Sequence, residues 1–337
     1  MLKIVGCTHT GRRELNEDSF LADDELGLAA VADGMGGYSS GEVASAIVVS
    51  TLWNDLKEGE KSLEESVANA HLEVKKGVLD GRGGAGMGST VVAAKFDGSR
   101  FDVAWVGDSR AYIWDGHELR QISRDHSYIE SLLSRGIISA EDAKTRNDRN
   151  LVTQALGAEA LVELDIGTCE GDLYQGELLL LCSDGLNDEL GGFEIARLLH
   201  DNAADGLESC CEKLVQASYD AGGKDNITVM LVSNDVAVPE SGRVPETIVE
   251  THNLSGHSEY FPLGGQNDGA HITSSDSVTE EFSTTQVYAV KPKSQLDYDA
   301  LDDHIGGGTP SWLIAVVCVL LLAGLLGLLV YLGIISF

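Results

Sequence analysis

Apolar residues in this chain gather into short runs separated by polar turns. Residues 2–8 and 28–32 read as strands, as do 90–96, 101–106 and 111–114, with Asp115-Gly116 as a hairpin turn. Residues 163–168 alternate apolar and polar as a half-buried strand should. The nearly continuous run 177–183 suits a central strand, and a last strand is expected over 227–233. Helical spacing starts at Gly41, with Val43, Ala44, Ile47, Val48 and Leu52 on one face. A second helix is expected over 62–79, where Ser62 and Glu65 form a capping box. Two more fit 192–200 and 206–221. Residues 10–20 are polar and loop-like, and 131–150 read as a surface excursion. Strands with pairs of consecutive helices between them do not alternate as a parallel α/β sheet does. The pattern predicts an α+β domain of sheet layers covered by helices.

The pattern changes near residue 234. Residues 235–311 are rich in Ser, Thr, Gly, Asp and Glu without periodicity and read as a disordered acidic linker. Residues 312–335 then run for about 24 positions without a charge, about 36 Å as a helix and enough to cross a bilayer. Trp312 and Tyr331 stand towards the ends of the run, where amphipathic rings prefer the interface. The expected organisation is a folded domain at 1–234, a linker at 235–311 and a single membrane-spanning helix at 312–335. The N-terminus has no long apolar run, so no secretory signal is expected, and the domain is placed on the cytoplasmic side of the cell membrane.

Charge narrows the choice of partner. The 337-residue chain has 54 acidic and 23 basic side chains and a formal charge of −31. A nucleic-acid partner is disfavoured, because phosphate backbones are held by basic patches. A phosphorylated substrate is still allowed, since bound metal ions reverse the local field. The six cysteines include no CxxC pair and suit a reducing compartment. The glycine-rich stretch 81–88 lacks the lysine of a nucleotide-binding loop and precedes a strand, so it reads as a connector.

The chemistry lies at the strand ends. Leu28-Ala29-Ala30-Val31-Ala32 runs into Asp33-Gly34, and Leu178-Leu179-Leu180-Leu181-Cys182-Ser183 runs into Asp184-Gly185. Val103-Ala104-Trp105-Val106-Gly107 ends in Asp108, and Asp225 precedes the strand at 227. If these strands lie side by side, four carboxylates converge and require cations. To these are added Arg13-x-x-Asn16-Glu17-Asp18, Gly88-Ser89-Thr90, Asp125-His126-Ser127, Thr153-Gln154-Ala155-Leu156-Gly157 and Asp225-Asn226-Ile227-Thr228. In this order the set resembles the protein phosphatase 2C (PPM) family of metal-dependent Ser/Thr protein phosphatases, especially its bacterial members, over residues 1–234.

The resemblance implies a four-layer α-β-β-α sandwich of two antiparallel sheets flanked by helix pairs. It implies two Mg²⁺ or Mn²⁺ ions, and a third in bacterial members. Asp33 would bridge two ions, the Gly34 carbonyl would bind one, and Asp184 and Asp225 would complete the other. Glu17 and Asp18 would act through water, and Asp108 with Asp184 would hold the third ion. Arg13 would clamp the substrate phosphate, and a two-metal-activated hydroxide would attack phosphorus in line. Oxygen-only ligands suit these ions, and a guanidinium fork suits phosphate. One departure is Met35, where some members have a general-acid His; His126 is the nearest candidate by motif and fits a structural turn better. The expected partners are phosphorylated proteins, a membrane Ser/Thr kinase among them, with the catalytic domain acting as a monomer. Two alternatives are an inactive regulatory binding module, disfavoured by the full set of Asp33, Asp184, Asp225 and Arg13, and a phosphatase of a sigma-factor partner switch.

Overall fold

The computed structural model describes residues 1–36, 40–146, 148, 151–158, 164–239, 247–249, 260–262 and 286–287. All belong to one compact unit, Met1–Lys291. Among them no helix is long and apolar enough to cross a membrane; the expected span at 312–335 lies outside the described residues.

The domain begins with β1 (Lys3–His9), β2 (Asp18–Asp23) and β3 (Leu28–Met35), followed by α1 (Gly41–Glu58) and α2 (Leu63–Leu79). Next come β4 (Gly88–Ser89), β5 (Val91–Asp97), β6 (Arg100–Val106), β7 (Arg110–Trp114) and β8 (Glu118–Gln121). Short helices α3 (Tyr128–Ser134) and α4 (Ala140–Thr145) precede β9 (Gly167–Asp172) and β10 (Leu178–Cys182). Helices α5 (Asp184–Asn187), α6 (Gly192–Asn202) and α7 (Leu207–Ala221) lead into β11 (Ile227–Ser233). One sheet has the order β8-β7-β10-β11-β1, the other β9-β6-β5-β3-β2, and their pairings are antiparallel.

Alternation along single strands explains the layers. On β3, Ala30 and Ala32 face α1 and α2, joining Ile47, Val48, Leu52, Val67 and Val74. Ala29 and Val31 face the other way, into a core shared with Leu179, Leu181, Met230 and Val232 of the opposite sheet. On that sheet, Leu180, Val229 and Leu231 pack against Leu199, Leu214 and Val215 of α6 and α7. Strands covered on both faces need apolar residues at every position, which is why residues 28–32 of β3 and the whole of β10 are continuous apolar runs. The capping box at Ser62 and Glu65 is present at the start of α2.

Four boundaries differ from expectation. The strand read at 163–168 lies at Gly167–Asp172, where it pairs with β6 from Trp105↔Gly167 to Arg100↔Asp172. The polar stretch 10–20 contains the start of β2, because Asp18 pairs opposite Asp33 instead of facing solvent. Strand β3 continues through Asp33 and Gly34 to Met35, held by β4. The excursion at 131–150 contains the end of α3 and all of α4, both capped by serine hydroxyls.

In the 235–311 stretch, the described residues include three short strands at sheet edges. They are β12 (Thr247–Val249) on β9, β13 (Tyr260–Pro262) on β8, and β14 (Gln286–Val287) on β1.

Candidate active site

The sheet register brings the first two carboxylates together. Asp18 on β2 and Asp33 on β3 are direct cross-strand partners, so their side chains emerge on the same face. The backbone of Asp33 is fixed on the side of β5. Its N–H donates to Thr90 Oγ1 at 3.2 Å, and its carbonyl accepts from Thr90 N–H at 2.8 Å and Ser89 Oγ at 3.1 Å. Ser89 in turn exchanges two backbone hydrogen bonds with Leu156, which gives the Thr153–Gly157 motif its place.

Gly34 lies where α1 meets β3. A Cβ there would stand 2.0 Å from the Gly41 carbonyl oxygen and 2.5 Å from that of Glu17. Only glycine permits this approach. It puts Glu17 at the first turn of α1, where Oε1 accepts from Gly41 N–H at 3.2 Å. The Glu17 carbonyl accepts from Gly34 N–H and from Ser45 Oγ, at 3.1 and 2.6 Å.

The remaining carboxylates arrive from the other sheet and from the turn after β6. Asp184 opens α5 directly after β10. Asp108 follows Gly107, whose φ of 108° and tight contact with Thr90 exclude a side chain. The ring of His126 holds that turn: Gly107 N–H donates to His126 Nδ1 at 3.3 Å, and His126 N–H donates to the Gly107 carbonyl at 2.8 Å. His126 thus has the structural position its motif suggested, and burial lowers its pKa. Asp225 sits before β11, where Oδ2 accepts from Arg13 Nη2 at 2.7 Å; Arg13 Nε reaches the Lys224 carbonyl at 3.2 Å.

Supporting polar side chains lock this arrangement. Ser183 and Thr228 both donate to Asp18 Oδ2, at 2.8 and 2.6 Å. Asn226 accepts from Glu17 N–H at 2.8 Å and donates to the Thr10 and Leu15 carbonyls at 2.9 and 2.8 Å. These roles escaped sequence reasoning, as did Asp188, whose charge raises the pKa of both Asp184 and Asp108. Asp188 stands four residues after Asp184, a helical spacing that would have revealed it had α5 been anticipated.

The electrostatics are those of an anionic cluster. Burial, opposed by its two hydroxyl donors and reinforced by Asp225 and Glu17, pushes Asp18 up to about 6. Burial and then Asp125 push Asp108 up to about 7. Asp33 and Asp184 are raised well above the carboxylate range by burial and then by the neighbouring aspartates. Glu17 is raised too, mainly by burial. A positive ion would relieve this repulsion. Asp18 Oδ1 and Asp184 Oδ1 are buried without a hydrogen-bond partner, and both are acceptors a cation or its waters could use. Among the described residues no three acidic, His or Cys side chains by themselves form a group that could hold one ion. The donors that converge here are oxygens, a set that fits hard ions that keep much of their water, as Mg²⁺ and Mn²⁺ do.

A family model described as protein phosphatase 2C matches residues 5–217. The chain is 36% identical over 242 residues to the serine/threonine phosphatase stp of Listeria monocytogenes, spanning 68% of this chain and 94% of that relative. The crystal structure of the Mycobacterium tuberculosis serine/threonine phosphatase PstP is similar with a TM-score of 0.62 at 30% identity, over 69% of this chain and 99% of that one. The PstP catalytic domain in complex with 2 manganese ions is similar with a TM-score of 0.59 at 31% identity, over 69% and 97%. With its two antiparallel sheets, its helices and its converging aspartates, this chain is a protein-serine/threonine phosphatase and belongs to the protein phosphatase 2C family.

Proposed function

We propose that the chain hydrolyses phosphoserine and phosphothreonine in proteins with two Mg²⁺ or Mn²⁺ ions, and a third held more weakly. The observation that carries this reading is the meeting of Asp18, Asp33, Asp184 and Asp225, with two orphaned carboxylate oxygens among them. Asp33 and the Gly34 carbonyl, with Asp184 and Asp225, would hold the pair of ions; Glu17 and Asp18 would orient their waters. Asp108 and Asp184 would hold the third. When bound, the ions supply Lewis-acid activation of water for in-line attack on phosphorus and neutralise charge on the phosphoryl oxygens. Arg13 orients the substrate. Its guanidinium, held on the Lys224 carbonyl and Asp225, can offer donors to the phosphate beside the aspartates. Met35 has no proton to give, so leaving-group protonation falls to water or to an acid elsewhere in the chain.

The uncharged run at 312–335 supports a second part of the reading. The run anchors the protein in the cell membrane by a single span, with the catalytic domain cytoplasmic and the 235–311 stretch as tether. Tethering raises the local concentration of the domain towards membrane phosphoproteins such as a receptor-type Ser/Thr kinase.

The test of the catalytic reading is hydrolysis of a phosphothreonine peptide by the protein stripped with chelator, then restored with Mn²⁺. Activity should be absent in chelator and return with the ion. Asp33→Asn should lower kcat by roughly a thousandfold or more while the circular dichroism is retained. Near-normal Mn²⁺-dependent turnover by that variant would overturn the assignment.

A further inference from the structure

The 10–15 loop carries two consecutive arginines, and only Arg13 has a role in the reading above. Arg12 is exposed, yet it is held at three points. Its backbone N–H donates to the Gly223 carbonyl and its Nε to the Gly222 carbonyl, each at 2.7 Å. Its guanidinium carbon lies 5.0 Å from the centroid of the Tyr219 ring, a cation–π distance. Tyr219 is itself set edge-on against His9, with centroids 4.8 Å apart. A cation at the end of α7 suits that helix's terminal carbonyls, and the Nε contact alone accomplishes this. Nη1 and Nη2 have no hydrogen-bond partner among the described residues. Lys224, the other cation of this turn, differs: its Nζ stands 3.2 Å from a Glu189 oxygen.

The spacing to Arg13 gives those free donors a meaning. Arg12 grips the Gly222 carbonyl and Arg13 the Lys224 carbonyl. Those residues are two apart, so the anchor points are separated by at most roughly 7 Å. Two residues of an extended peptide span about the same length. An extended peptide whose phosphate meets Arg13 can therefore bring a side chain one or two residues away within reach of Arg12. The loop is already ordered by Asn226 and Gly223, so little conformational freedom is left to lose on binding. The chain's charge of −31 otherwise repels acidic segments, which makes a fixed cation next to Arg13 selective.

We propose that Arg12 is a specificity-determining residue that binds a second anionic group, one or two residues from the phosphoresidue of the substrate. The inference rests on the phosphoprotein phosphatase reading. The group is a carboxylate or a second phosphate; both match a guanidinium fork.

The test compares kcat/KM of the full chain with Mn²⁺ on phosphothreonine peptides that carry Ala, Glu or phosphoserine at the flanking positions. The ratio of acidic to Ala peptide, taken within one preparation, does not depend on the fraction of active protein. Wild type should favour the acidic peptide by about 5- to 10-fold at low salt, and less at high salt. The Glu and phosphoserine arms tell which anion is read. Arg12→Gln keeps a donor for the Gly222 carbonyl without the charge and should bring the ratio to about one; Arg12→Lys should retain part of it. The same ratio in wild type and Arg12→Gln, or a ratio of one in wild type, would show that Arg12 only caps α7. Failure of wild type to hydrolyse any of these peptides with Mn²⁺ would sink the phosphatase reading, and this one with it.

Discussion

Asp108 shows how a single residue can record the cost of an anionic site. In the folded protein burial and Asp125 keep it protonated up to about pH 7, whereas in an unfolded chain it ionises near pH 4. Between those values the folded state binds more protons, so stability falls as pH rises, and above about 7 the whole penalty is present. In chelator at pH 7.5, Asp108→Asn should therefore be more stable than wild type, by on the order of 2 to 4 kcal/mol. The difference should vanish near pH 4. His9, His71 and His126, whose pKa values are lowered by burial, contribute the opposite trend, but both proteins share them and they cancel in the comparison. Denaturant unfolding at the two pH values measures this. A difference that does not change with pH would mean that Asp108 is already ionised in the metal-free fold. Saturating Mn²⁺ should erase the advantage of the variant, because the ion favours the carboxylate.

At the scale of elements, the junction of β3 and α1 is where backbone geometry and site chemistry coincide. Gly34→Ala would drive a methyl group to within 2.0 Å of the Gly41 carbonyl, so either α1 shifts or β3 bends. Loss of at least about 3 kcal/mol is expected, from overpacking against rigid backbone. Circular dichroism melting checks it; a variant as stable as wild type would show that the junction can relax. This junction was half legible in the sequence. An apolar run ending in Asp-Gly announced a strand, a turn and a carboxylate, and the helical spacing from Gly41 announced α1. That β3 continues through Asp33 to pair it with Asp18 depends on register, which a polar stretch such as 10–20 does not reveal. The same limit hid Ser183, Thr228 and Asn226. Hydroxyls and amides have no pattern of their own, and their roles exist only once Asp18 and Glu17 are placed beside them. Residues 163–168 alternate apolar and polar as a strand does, but pairing with β6 selects the later stretch Gly167–Asp172.

For the whole molecule, the catalytic motifs end at Thr228 while the chain continues to residue 337. The first tail residues belong to the domain: Asn234 Nδ2 donates to the Gly98 carbonyl and Gln175 N–H to the Val236 carbonyl, at 2.7 and 2.8 Å. A cut after Ala237 keeps both contacts and removes β12, β13 and β14 with the apolar run. The shortened protein should hydrolyse p-nitrophenyl phosphate with Mn²⁺ within about twofold of the full chain, because those strands add only to sheet edges. It should also associate more readily at high concentration, since β1, β8 and β9 become open edges; light scattering reads this. The full chain should sediment with membranes and resist carbonate extraction, as an uncharged run of about 24 residues inserts essentially irreversibly. In cells, the cut should weaken dephosphorylation of membrane phosphoproteins more than of soluble ones, because tethering acts through local concentration and leaves the site unchanged. Equal loss on both classes would instead mean that the tail supports the catalytic fold, and full-length protein in the soluble fraction would remove the anchor altogether.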